Sequence, residues 1–185
     1  MATNNAVNVG LSGSTGTGSF VGSNSPTLVT PVLGAASLTS ANFSSTTGII
    51  GTTTNNSAAA GSVGEIIQSA ILNASAVSLS NNTPKNMTSI SLTAGQWDLY
   101  GNMVFNVSIS ATSIAVGFSQ TTNTLPDNSL LSGQTCAITA GSPGLVCPGI
   151  PLQLSGTTTL YIVGFVGGLS GTCSMSGGMY AVRRR

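Results

Sequence analysis

The charged and thiol side chains on which acid–base or metal chemistry would chiefly rest are few enough to name in full. They are Glu65, Asp98 and Asp127, Lys85, Arg183, Arg184 and Arg185, and Cys136, Cys147 and Cys173; there is no histidine. General acid–base catalysis needs titratable groups tuned against one another. A Ser-His-Asp arrangement is therefore excluded within one chain. A paired-carboxylate glycosidase would have to join Asp98 to Glu65 or Asp127. On a strand, Asp98 points away from its neighbours Trp97 and Leu99, so it reads as a surface carboxylate after a turn. Cys136 and Cys147 lack the spacing of zinc knuckles, and no histidine completes a ligand set. A threefold axis would gather three copies of Asp98 or Asp127, but nothing in the sequence requires it. The expectation is no catalytic residue, no metal and no cofactor.

Phosphate chemistry is suggested by the glycines Gly13, Gly16, Gly18 and Gly22. A P-loop needs four residues between its glycines, then Lys and Ser/Thr, and Lys85 is far away. In the dinucleotide template, Gly16-Thr17-Gly18 is followed by Gly22 one residue late. Pro26 and Pro31 then forbid the helix that template requires. Those glycines read instead as places where an extended backbone turns and lies close to neighbours.

Sugar binding would want exposed aromatics, and Trp97, Tyr100, Tyr161 and Tyr180 are the candidates, although an aromatic on an alternating strand is more often core. The triplet Arg183–Arg185 is the one charge cluster. It is a small footprint for nucleic acid and is expected to solvate the chain end or pair with a neighbouring subunit. Asn-x-Ser/Thr triplets at Asn42, Asn55, Asn73, Asn81, Asn86 and Asn106 are what so much Asn, Ser and Thr yields by chance.

The 185 residues are 4% charged, against roughly 25% in ordinary soluble proteins, with net charge +1. That argues against steering to nucleic acid and favours a chain locked into a permanent assembly. An apolar fraction of 41% argues against wholesale disorder. Residues 1–12 lack the basic and apolar segments of a secretory leader. No run approaches the roughly 20 apolar residues of a spanning helix. Three cysteines make no disulfide framework. Either Cys136 and Cys147 bridge a loop, or all three are small buried hydrophobes.

Positioning elements follow from the pattern. Residues 1–60 show no sustained helical period. Their apolar residues stand singly or in short groups: Phe20 and Val21, Leu28 and Val29, Val32 and Leu33. One chain cannot bury these, whereas three chains side by side or a groove on a partner would. From about residue 63 the pattern becomes strand-like. "GEIIQSAILNASAVSL" fits a helix or two short strands, and its β-rich surroundings favour strands. Met87, Ser89, Ser91 and Thr93 alternate against Ile90 and Leu92; Gly95 marks a turn. Trp97, Leu99, Met103, Phe105, Val107 and Ile109 keep the period of half-buried strands. "SIAVGFSQ" is a further strand. Thr121–Pro151, with Pro126, Pro143, Pro148 and Pro151, reads as loop-rich. "TTTLYIVGFV" reads as a strand buried on both faces, and "GTCSMSGGMYAVRRR" alternates. Roughly six to eight short strands with glycine turns predict a sandwich or jelly roll.

The stretch "GLSGSTGTGSFVGSNSPTLVTPVLG", Gly10–Gly34, resembles a motif of tailed-bacteriophage fibre and head-decoration proteins. "SLTAGQWDLYGNMVFN", Ser91–Asn106, with "TTTLYIVGFV" and "YAVRRR", resembles the C-terminal domains paired with it. Those domains are similar to trimeric jelly-roll heads of the complement and tumour-necrosis-factor type. The resemblance covers both ends of the chain and departs from long tail fibres in having a single motif copy. It implies a virion protein made in the host bacterial cytoplasm.

The combined expectation is all-β: an extended arm, 1–60, and a jelly-roll-like head, 61–185, forming a homotrimer. Gly13, Gly16, Gly18, Phe20, Val21, Pro26, Leu28, Val29, Pro31, Val32 and Leu33 would anchor the arm. Trp97, Leu99, Phe105, Val107, Tyr161, Val163, Phe165 and Tyr180 would form the head's core or trimer contact. Expected partners are further copies of the chain, the major capsid protein or another virion protein, with no nucleic acid and no membrane. The function expected is a short head fibre or capsid decoration protein; the alternative is a tail-fibre or adhesin tip that binds host surface glycan through Thr121–Pro151.

Overall fold

A computed structural model describes residues 56–126 and 131–185, without the side chains of 131–136 and Pro148. The arm residues named above and Asp127 lie outside it. The elements are β1 (Ile66–Ile71), a 3-10 turn (Asn73–Ser75), β2 (Val77–Leu79), β3 (Lys85–Leu92), β4 (Gly95–Ser119), β5 (Leu131–Gly141), β6 (Gly144–Leu154), β7 (Thr158–Gly167) and β8 (Cys173–Arg183). The described residues fall within one compact unit, Thr52–Arg185.

The registers reduce these strands to four long antiparallel runs. Along one edge of β4, pairing runs from Ser119↔Tyr161 to Ser113↔Gly167, is interrupted at the crease except for the single bridge Ser110↔Ser170, and resumes from Val107↔Cys173 to Trp97↔Arg183, so β7 and β8 follow one line. Along the other edge, β5 and β6 follow each other from Gly117↔Leu131 to Gly95↔Leu154. The third line lies outside β7 and β8, where β1 and β2 pair with β8 and β3 pairs with β7. The runs 66–92, 158–183, 95–119 and 131–154 thus lie side by side in that order.

The ribbon is folded across its middle. On a straight strand Gly101 and Phe118 would stand about 55 Å apart. Instead the rings and methyls of Phe118 and Ile162 close on the Cα of Gly101, where an added Cβ would meet them at 2.9 Å. The Ser69 and Thr88 hydroxyls likewise bond across the fold at 2.6 Å. Sheet one is β1/β2–β8–first half of β4–β6; sheet two is β3–β7–second half of β4–β5. Four runs folded in this order make a jelly roll, and the core lies between the sheets. Trp97, Leu99, Met103 and Phe105 from sheet one face Leu92, Phe118, Leu160 and Ile162 from sheet two.

The crease explains where the sequence pattern breaks. At Val107–Ser110 the β4·β5 register shifts, and Ile109, which the alternation assigned to the buried face, is 59% exposed. On the neighbouring run the crease is turned by Gly168 and Gly171, at φ +58° and +87°. Left-handed backbone of this kind suits glycine.

"SIAVGFSQ" is no separate strand; Ser113–Ser119 is the second half of β4. Met87, assigned to the polar face, is buried because a bulge between Asn86 and Thr88 turns it inward. Much of Thr121–Pro151 is strand, in β5 and β6, correcting the loop reading. Pro148 and Pro151 are tolerated because β6 pairs with β4 alone, and an edge strand need not donate on its outer side. Cys147 and Cys173 are free and buried, and Cys136 lies on β5 with its side chain outside the described residues.

Candidate binding face

Glu65, Asp98, Arg183 and Arg184 meet at one end of sheet one, where they serve structure. Arg183 is 5% exposed. Its Nε donates to Glu65 Oε2 at 2.8 Å and its Nη1 to the Ala94 carbonyl at 2.9 Å. Its Nη2 bonds the Thr93 hydroxyl. The guanidinium lies over the Trp97 ring, which donates its Nε1–H to the Thr93 carbonyl. The hydrogen bond from Arg183, with a second from the Gly61 N–H, holds the Glu65 carboxyl below its usual value of 4.5, overcoming the opposing effect of burial. Arg184 pairs with Asp98 at 2.7 Å. Lys85 donates to the Ser78 carbonyl. Arg183 is therefore committed within the chain, correcting for that residue the expectation of solvating the chain end, while Arg184 remains largely exposed beside Asp98. Among the described residues no three His, Cys, Asp or Glu side chains converge to hold a metal.

The expected head residues separate into three places. Trp97, Leu99, Phe105 and Val107 face the space between the sheets. On β7, Leu160, Ile162 and Val166 join that core; in the opposite phase Val163 is buried, while Tyr161 and Phe165 are half-buried. Tyr180 lies on the outer face of sheet one and is 42% exposed.

That outer face carries the one concentration of exposed aromatic surface among the described residues. Register places Tyr100 of β4 directly beside Tyr180 of β8. Their rings stack at 5.0 Å with 18° between planes, and Tyr100 is 37% exposed. Behind Tyr100 stands Gly149 of the β6 bulge, where a Cβ would come within 2.8 Å of the ring. Ahead of Tyr180, across β8, is Gln68 of β1. The next row reads Ala70, Gly178, Asn102, Val146. A groove of about 400 Å³ follows these rows, lined by Gln68, Ser69, Ala70, Asn102, Gly178, Met179 and Tyr180.

Of the aromatic candidates, two are brought together here, while Trp97 is in the core and Tyr161 is on the other sheet. Gln68, Asn102 and Gly149 were not singled out from sequence. Asn102 and Tyr100 are legible in retrospect, since they stand in the opposite phase to Trp97, Leu99 and Met103.

No family model and no curated protein matches this sequence. Among solved structures, infectious bursal disease virus of the Gx strain is similar at 13% identity and a TM-score of 0.45, over 65% of this chain and 32% of that one. The VP2 subviral particle of infectious bursal disease virus is similar at 12% identity and a TM-score of 0.36, over 64% and 30%. The chain covers less than a third of the length of either.

Proposed function

We propose that this chain is a structural protein of a bacteriophage particle, a homotrimeric short head fibre or capsid decoration protein. Residues 1–60 anchor it to the major capsid protein or another virion protein, and 61–185 form the outward head. It is made in the bacterial cytoplasm and works by binding. The observation that carries this reading is the use of charge: each carboxylate among the described residues is held in an ion pair, Glu65 with Arg183 and Asp98 with Arg184. The first is buried where β8 meets the start of the domain, and the second lies at the surface beside it. The resemblance of Gly10–Gly34 to phage fibre and decoration motifs supports the anchor, and the charge-poor head suits a tight trimer axis, where unpaired charge is penalised.

The test is deletion of residues 1–34. The truncated protein should remain a folded trimer by light scattering and fail to sediment with particles. Full occupancy on capsids by the truncated chain rules out the anchor, and a monomeric head rules out the trimer. The second reading, a tail-fibre or adhesin tip that binds host glycan, is favoured by the exposed Tyr100–Tyr180 stack.

A further inference from the structure

We propose that the groove beside Tyr180 on the outer face of sheet one binds a neutral saccharide. The argument starts from the stack. Gly149 is pressed against Tyr100, Tyr100 is stacked on Tyr180, and the 42%-exposed Tyr180 borders the groove on the β1 side. The backing holds that ring as a fixed wall. A rigid aromatic gives contact area with little conformational entropy to lose. Its π face is electronegative and attracts polarised C–H groups, which is what the apolar side of a pyranose ring presents.

The rest of the groove suits a polyol. Gly178 and Ala70 form the next row and keep the floor low. Gln68 and Asn102 stand on the two strands flanking β8, one row apart and roughly 12 Å from each other along the backbone grid, which leaves room for one sugar ring and its hydroxyls. Each amide both donates and accepts, as neighbouring hydroxyls require. No charged side chain lines the groove, and the nearest described charges, Asp98 and Arg184, neutralise each other. That favours a neutral sugar over an acidic one. A volume of about 400 Å³ lies within the roughly 300–1,000 Å³ of small-molecule sites. The proposal stands whether the head is carried on a capsid or a tail.

The experiment is a screen of the full-length protein on an array of neutral and acidic bacterial surface polysaccharides, with hits titrated by calorimetry. Saturable binding to a neutral saccharide is expected. Tyr180→Ala should weaken it about tenfold, while Tyr180→Phe, which keeps the ring face, should stay within about threefold. Gln68→Ala and Asn102→Ala should each weaken it, and Lys85→Ala, on sheet two, should leave it unchanged. Thermal melts confirm that each variant folds. The proposal is overturned if no neutral polysaccharide binds or if Tyr180→Ala binds as well as the parent. It is equally overturned if Tyr180→Ala dissociates the oligomer, which would make this face a contact between copies. Because the readout is saccharide affinity, loss of capsid attachment does not bear on it.

Discussion

The guanidinium carbon of Arg183 sits 4.1 Å from the centroid of the Trp97 ring. Directly paired on β8 and β4, the two residues close the mouth of the sandwich. Arg183 in turn holds Glu65 and the Thr93–Ala94 turn. A buried cation of this kind is stable only while its partners remain.

Removing the carboxylate should therefore leave Arg183 buried and unpaired. Glu65→Ala is expected to lose about 3 kcal/mol in urea unfolding. The same pair sets an acid limit. Glu65 has a lower pKa folded than unfolded, so its contribution is complete above the unfolded value of 4.5 and is lost as pH falls through the lowered folded value. The melting temperature should fall steeply below pH 4.5, and Glu65→Gln should show a shallower fall from a lower starting point. An unchanged slope in Glu65→Gln would show that the pair contributes nothing to acid stability.

Gly177 tests the close approach of β8 to β4. Its φ is +142°, and a Cβ there would collide with the backbone of Asn102 and Met103. Backbone cannot yield as a flexible side chain does. Gly177→Ala should destabilise by about 3 kcal/mol, from strain and overpacking together, measured by chemical denaturation.

Burial pushes the Cys147 thiol up to about 12 and Cys173 to about 11. The thiolate is the reactive form, so at pH 8 neither should be alkylated by iodoacetamide in the folded protein. Peptide mapping by mass spectrometry should find both modified after denaturation. Rapid labelling of Cys147 in the native protein would contradict its place in the core.

Pro148 and Pro151 interrupt the donors of the edge strand β6. Exposed edges invite pairing with other chains. Replacing both with Thr should restore the missing N–H groups and shift the protein toward larger species in light scattering, with little change in melting temperature.

The core was legible where local alternation carried it: Trp97, Leu99, Phe105 and Val107 share a phase, and that phase faces inward. It failed where tertiary structure bends the strand without changing the pattern. Val107-Ser108-Ile109 alternates perfectly, yet the crease turns Ile109 out. Met87 needed knowledge of a bulge, which depends on β7. Prolines mark loops in a central strand but not on an edge, which no single segment reveals about itself. The binding face was half-visible: Tyr100 and Tyr180 were named, but their pairing depends on register between distant strands. Gln68 joins them only through β8. The residues expected to anchor the arm, Gly13 to Leu33, lie outside the described residues.

The order of the four runs sets the order of folding events. Among the described residues, the run 66–92 pairs with 158–183 alone, and Glu65 waits for Arg183. On a ribosome β3 therefore waits for β7, and β1 and β2 wait for β8, the last strand made. Non-local pairing of this kind slows folding and lengthens the period in which unpaired edges can meet other chains. A near-absence of charge offers those intermediates little mutual repulsion. The serines, threonines and asparagines spaced from Ser69 to Ser91 give that waiting segment a polar character until translation delivers its neighbour.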